Sequence, residues 1–320
     1  CFGVASSTRA GMRGGSEAFL TVLRGLDWQP GDEIVVSADE EAALLLPVLA
    51  LRDQQGITVR KLELVDGSTD QQVAALESCL GERTRLVAFS HVTTDLGYRL
   101  PAGELCETVR RHGAMSYVDM AHSCGVLPID LAETGCDFAG LLSYKWMYSP
   151  YAAGLLYVNS GRIGELAVRF PGGRSESWLD FETDRFELHD SAERCQFGPG
   201  SWPLVHAWAA ACDWLTAIGP AEIAERTGWL TDRLKRGLQS IETVELLTPG
   251  EFTRSAALVA MSMTGWTGED LAATLRERWN MIVKPLPHTR EGLRISVPFF
   301  LLEEEIDRLV EALGELATCS

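Results

Sequence analysis

Apolar residues in the first two thirds of the chain fall into short unbroken runs, separated by stretches with helical spacing. "EIVVS" (33–37), "ITVRKLEL" (57–64), "TRLVAFSHV" (84–92), "AMSYVDM" (114–120), "FAGLLS" (138–143) and "AGLLYV" (153–158) read as strands. Between them, "EEAALLLPVLALRDQQG" (40–56), "STDQQVAALESCLGE" (68–82) and "PAGELCETVRRHG" (101–113) read as helices. The second opens on a Ser/Thr–Asp cap. The third starts with Pro and ends with Gly, the residues suited to those two positions. Buried strands alternating with helices predict an α/β domain around a mostly parallel sheet.

Beyond residue 203 the pattern is helical to about 240, and then mixed. "VELLTP" and "AALVAMSMTG" precede a helix "TGEDLAATLRERWN", a strand "GLRISVPFF" and a last helix "LEEEIDRLVEALGEL". This divides the chain into a large α/β domain, 1–240, and a smaller C-terminal α+β domain, 241–320. A length of 320 residues supports such a pair of cores.

Charge narrows the partners. The formal net charge of −17 disfavours nucleic acid and anionic membranes. No apolar run reaches the about 18 residues that span a bilayer, and no signal-peptide pattern is visible. Eight cysteines lie scattered without paired spacing, which predicts reduced thiols in a cytoplasmic protein. No metal is expected. The chain opens abruptly at Cys1, so an upstream segment is expected to be missing from it.

Candidate chemistry collects at strand ends. "SHVTTDLG" follows one strand, Asp119 and His122 in "VDMAH" follow the next, and Lys145 comes directly after "FAGLLS". The glycine-rich "RGGSEAF" (13–19) opens a helix whose free N–H groups and dipole suit a phosphate. Taken singly, these parts have ordinary readings as caps, turns or a solvent-seeking lysine. Together they match the needs of pyridoxal phosphate: an amine for a Schiff base, a carboxylate for the ring nitrogen and an anion pocket. The apolar surroundings of Lys145 favour the neutral amine that such exchange requires.

The stretches "LRGLDWQPGDEIVVS", "SHVTTDLGYRLP", "VDMAHSCGVLPIDLAETGCDF", "SYKWMYSPYAAGLLYV" and "GLRISVPFFLLEEEIDRLVEAL" resemble the class V aminotransferase family of fold-type I PLP enzymes. That group includes cysteine desulfurases, isopenicillin N epimerase and cysteine C–S lyases. The resemblance implies Lys145 as the Schiff-base lysine, Asp119 at the pyridine nitrogen and His122 near the ring hydroxyl. It assigns Gly15 and Ser16 to the phosphate, places His91 and Thr94 in the loop flanking the cofactor, and gives Arg294 the substrate carboxylate. A guanidinium fork suits that last task. It also implies a homodimer with a shared active site.

Some positions depart from the family pattern. Glu41 stands where an aromatic ring or His usually stacks on the cofactor. Leu142, Ser143 and Tyr144 replace a Ser and a His before the lysine, so Ser143 and the Tyr144 hydroxyl are the phosphate donors available there. In "CQFGPGSW", Pro199 replaces a Thr, which passes that role to Ser201 or the Gly200 amide. The family carries several dozen residues before the phosphate helix, and about a dozen are present here.

Cysteine desulfurases place a nucleophilic Cys shortly before the substrate arginine, but "MIVKPLPHTREGLRIS" has none and offers only His288. What remains is α-proton chemistry on a small amino-acid substrate. The first choice is β-elimination from a cysteine S-conjugate, with Lys145 as base. Epimerisation, with His91 or Tyr144 as a second acid, transamination and decarboxylating deamination stay open. So does a non-catalytic homologue that keeps only the fold.

Overall fold

The computed structural model describes residues 3–198, 200–287 and 290–318. Cys1, Pro199 and His288, weighed above, lie outside them. The chain forms two compact units: 1–91, 101–124 and 129–217 make the first, and 92–100, 125–128 and 218–320 the second.

The first unit is built on a seven-stranded sheet. Its elements run β1 (Arg9–Met12), α1 (Gly15–Gly25), β2 (Glu33–Ser37), α2 (Ala42–Gln55), β3 (Thr58–Leu62), α3 (Thr69–Cys79), β4 (Thr84–Ser90), α4 (Ala102–Arg111), β5 (Met115–Asp119), α5 (Leu131–Thr134), β6 (Phe138–Leu142) and β7 (Gly154–Val158). A hairpin, β8 (Glu176–Asp180) and β9 (Arg185–Leu188), and the helix α6 (Trp202–Ile218) follow. Strand order is β1-β7-β6-β5-β4-β2-β3. The five strands from β6 to β3 are parallel, and β7 and β1 close one edge antiparallel. The expected α/β fold with a mostly parallel sheet is therefore present.

Burial follows the apolar runs. β5 and β6 are buried almost throughout, with only Asp119 at the end of β5 partly open. The predicted Ser68 cap closes into a capping box with Gln71, satisfying two backbone donors at the start of α3. The entry to α1 is fixed by close packing. A Cβ on Gly154 would stand 2.7 Å from Gly14 Cα and 2.8 Å from Leu141 O, so only glycine lets β7 approach the turn there.

The second unit contains α7 (Pro220–Gln239), β10 (Val244–Leu246), β11 (Leu258–Met263), α8 (Gly268–Trp279), β12 (Lys284–Pro285), β13 (Leu293–Ser296) and α9 (Glu303–Ala317). Its strands form an antiparallel sheet in the order β10-β11-β13-β12. Leu230 and Leu234 of α7, Met261 of β11 and Leu313 of α9 share its core. The segment 92–100 joins this unit by a bridge between Tyr98 and Ser255. Among the described residues no helix is long and apolar enough to cross a membrane.

Candidate active site

Parallel strands bring the ends of β2, β4, β5 and β6 to one edge of the sheet. Register makes the ends level, since Ser90 pairs with Asp119 and Asp119 with Gly140. Each strand delivers its chemistry in the next few residues: Glu40 and Glu41 after β2, His91 after β4, His122 after β5 and Lys145 after β6.

Lys145 is the centre of this group. Its Nζ lies 2.8 Å from Glu41 Oε1 and 2.9 Å from His122 Nε2. Glu41 Oε1 is in turn 3.3 Å from His122 Nε2, so amine, carboxylate and imidazole form a triangle. The His122 hydrogen bond and then the Lys145 charge hold the Glu41 carboxyl well below the usual carboxylate range, against the effect of burial. The imidazole is buried, and its Nδ1 accepts the Trp146 indole N–H at 3.1 Å.

Asp119 closes β5. Its Oδ1 accepts the Ala121 N–H at 2.7 Å, and its Oδ2 looks toward the start of α1, 3.5 Å from where a Gly15 Cβ would stand. Burial pushes this carboxyl up to about 6, while the Lys145 charge and the Ala121 N–H oppose the shift. Gly15 and Ser16 form the first turn of α1, with their N–H groups at its open end. His91 is buried, and its backbone N–H donates to Asp119 O at 2.9 Å.

Other expected site residues are placed differently. Ser143 is fully buried and its hydroxyl donates to Pro150 O at 2.6 Å, so its one proton is committed to the loop and not offered to a phosphate. The Tyr144 ring stacks on Tyr151, with centroids 4.5 Å apart. Ser201 is exposed, and its carbonyl accepts the Leu204 and Val205 N–H groups at the start of α6. Thr94 and Arg294 meet in the second unit, where Arg294 Nη1 donates to the buried Thr94 carbonyl and lies 4.0 Å from Asp95 Oδ1.

Two functional candidates went unread in the sequence. Glu41, noted only as a residue that cannot stack, is the ion-pair partner of Lys145. Glu40 is the other. Its carboxyl accepts the Ser90 N–H and the Ser90 hydroxyl, each at 2.7 Å, and the Ser37 hydroxyl. Burial pushes it up to about 8. The available signal was a pair of acidic residues directly after a parallel strand, where ligands bind in such sheets.

This donor set fits pyridoxal phosphate. One partly exposed amine, a carboxylate beside it at the strand edge, an imidazole and a glycine-opened helix N-terminus share one edge of one sheet. Fold and site together define a PLP-dependent enzyme. The class-V aminotransferase model matches residues 11–309, and the chain belongs to that family. Isopenicillin N epimerase of Streptomyces clavuligerus is 34% identical over 302 residues, covering 90% of this chain and 74% of that protein. A probable cysteine desulfurase of Pseudomonas aeruginosa is 32% identical over 313 residues, 94% and 76% of the two chains. The structure of the cystine C–S lyase C-DES in complex with its reaction product cysteine persulfide matches with a TM-score of 0.89 at 26% identity. That match covers 98% of this chain and 83% of the other. A C-DES variant with glycine covalently linked to its PLP cofactor matches with the same TM-score at 25% identity, covering 98% and 82%.

Proposed function

We propose that the enzyme is a C–S lyase that acts on a cysteine S-conjugate, removing the α-proton and expelling the β-thiolate. The observation that carries this reading is the triangle at Lys145: one amine, 2.8 Å from a carboxylate that stabilises it when it is protonated. β-Elimination needs one base and a leaving group, and the triangle supplies the base.

In this reading Lys145 anchors the cofactor and its Nζ takes the proton from the substrate Cα. Glu41, held ionised beside it, stabilises the ammonium that forms at Nζ, and Nζ then gives the proton to the departing sulfur. Asp119 holds charge at the pyridine nitrogen, and His122 donates Nε2–H to the ring oxygen. The N–H groups of Gly15 and Ser16 hold the phosphate, with Ser201 a further donor. Bound there, pyridoxal phosphate supplies an aldehyde for the substrate amine and a ring that takes up the electrons left at Cα. Arg294 takes the substrate carboxylate, and Thr94, whose carbonyl it engages, orients it. The similarity to the cystine C–S lyase supports the choice of leaving group. So does the absence of Cys from 281–296, where a desulfurase would need one.

Each turnover consumes one water and releases thiol, pyruvate and ammonia in equal amounts. The expected result with an S-alkyl cysteine is those three products at a 1:1:1 ratio, about 10²-fold or more reduced in Glu41→Gln, which loses the charge that stabilises the Lys145 ammonium. Amino acid recovered with inverted configuration and solvent deuterium at Cα, without pyruvate, contradicts it. That outcome would favour the second reading, epimerisation, which the 34% identity to isopenicillin N epimerase supports. His91 or Tyr144 would then be the acid on the opposite face.

The same reading makes the protein a cytoplasmic homodimer. α6 leaves Trp202 and Val205, three positions apart on one side of the helix, about half exposed, apolar surface suited to a second copy. Sedimentation should report twice the 35.1 kDa chain mass, and a monomer would contradict it.

A further inference from the structure

His122 has two ring nitrogens with different neighbours. Nδ1 lies 3.1 Å from Trp146 Nε1, and Nε2 lies 2.9 Å from Lys145 Nζ and 3.3 Å from Glu41 Oε1. An indole nitrogen is a donor only. Its partner must therefore carry a lone pair, and an imidazolium or an Nδ1–H imidazole would set two hydrogens against each other across a buried contact. Trp146 and His122 are both largely buried, so water does not relieve that clash.

We propose that Trp146 is a positioning residue: its indole N–H fixes His122 as the Nε2–H tautomer, so the imidazole presents a permanent donor toward the Lys145–Glu41 pair and the cofactor's ring oxygen. The second half rests on the reading of Lys145 as the cofactor's anchor, while the tautomer stands on the contacts alone. While Nζ keeps its proton, Nε2–H donates to Glu41 Oε1. When Nζ is a neutral amine, Nε2–H donates to its lone pair. In neither state does His122 accept a proton, so it takes no part in proton transfer at Lys145. A tryptophan directly after the lysine is thus part of the site through its nitrogen as well as its bulk.

Long-range proton–nitrogen NMR of histidine side chains tests this in the full chain, with and without pyridoxal phosphate. The His122→Gln variant assigns the signals. The expected wild-type spectrum shows a pyridine-like Nδ1 and a pyrrole-like Nε2, unchanged across the range around 6.5 where ordinary histidines titrate. In Trp146→Phe, which keeps the ring but loses the N–H, that separation should collapse toward tautomer averaging or titration. A wild-type His122 that carries Nδ1–H, or that protonates on both nitrogens around neutral pH, overturns the proposal. So does a Trp146→Phe spectrum identical to wild type. If that variant does not fold, the wild-type spectrum decides by itself. Failure of the anchor reading would appear separately, as cofactor attached to a lysine other than Lys145.

Discussion

Glu40 and Glu41 are chemically identical neighbours with opposite environments. Glu41 faces a cation and an imidazole and is held ionised, whereas Glu40 is enclosed beneath the strand ends and its carboxyl is raised to about 8. A raised folded-state value means the folded chain binds the extra proton between about 4.5 and about 8. The stability this provides is complete below the unfolded value and is lost as pH rises through the folded one. Asp119 acts in the same direction but only up to about 6, and Glu41 acts in the opposite direction only below its unfolded value of 4.5. Between about pH 7 and pH 8, of these three carboxyls only Glu40 contributes. The cofactor-free protein should therefore lose melting temperature over that interval, and Glu40→Gln should flatten the loss, since an amide keeps a donor and an acceptor without ionising. An equal slope in the variant, measured by thermal unfolding, would contradict this.

At the scale of elements, the site depends on β5 and β6 lying close behind Lys145. Gly140 of β6 makes this possible. A Cβ there would stand 2.0 Å from the Tyr117 hydroxyl of β5 and 3.0 Å from its Cζ. Tyr117 is fully buried against Phe19, and its hydroxyl has no hydrogen-bond partner among the described residues. Gly140→Ala should cost about 1–3 kcal/mol through overpacking. Tyr117→Phe should be near neutral alone, because it removes an unsatisfied group, and should restore at least half of that loss in the double variant. Denaturant unfolding of the four proteins checks this; strictly additive costs would contradict it.

The same elements show what the sequence carried. Continuous apolar runs such as "FAGLL" read directly as buried parallel strands, because burial on both faces removes the alternation that would otherwise confuse them. The ends of those strands then located Asp119, His122 and Lys145. β1 was missed because "RAGM" is short and contains a glycine, so that pairing with β7 decides its strand form. The β8–β9 hairpin was missed because its apolar residues, among them Trp178, Phe181 and Phe186, are exposed and give no burial pattern. Glu41 was located but not understood. Its meaning comes from a contact with a residue 104 positions away, which no local pattern encodes.

At the scale of the whole molecule, two compact units share a chain that crosses between them more than once. Residues 92–100 and 125–128 belong with the C-terminal part, although each follows a strand of the large sheet. The sequence pattern displays strands and helices but not such returns, since the pairing of Tyr98 with Ser255 depends on distant backbone. Within this architecture the central claim is chemical: Lys145 is where the cofactor attaches. The chain makes this easy to examine, with four lysines in all, at 61, 145, 235 and 284. Lys61 and Lys284 are exposed, and Lys235 is buried with its Nζ donating to Pro249 O and Ser255 Oγ. The direct measurement is borohydride reduction of the PLP-loaded protein, followed by peptide mass spectrometry. The account predicts one phosphopyridoxyl group per chain, on Lys145. A group fixed on Lys61, Lys235 or Lys284, or none on any lysine, would contradict it.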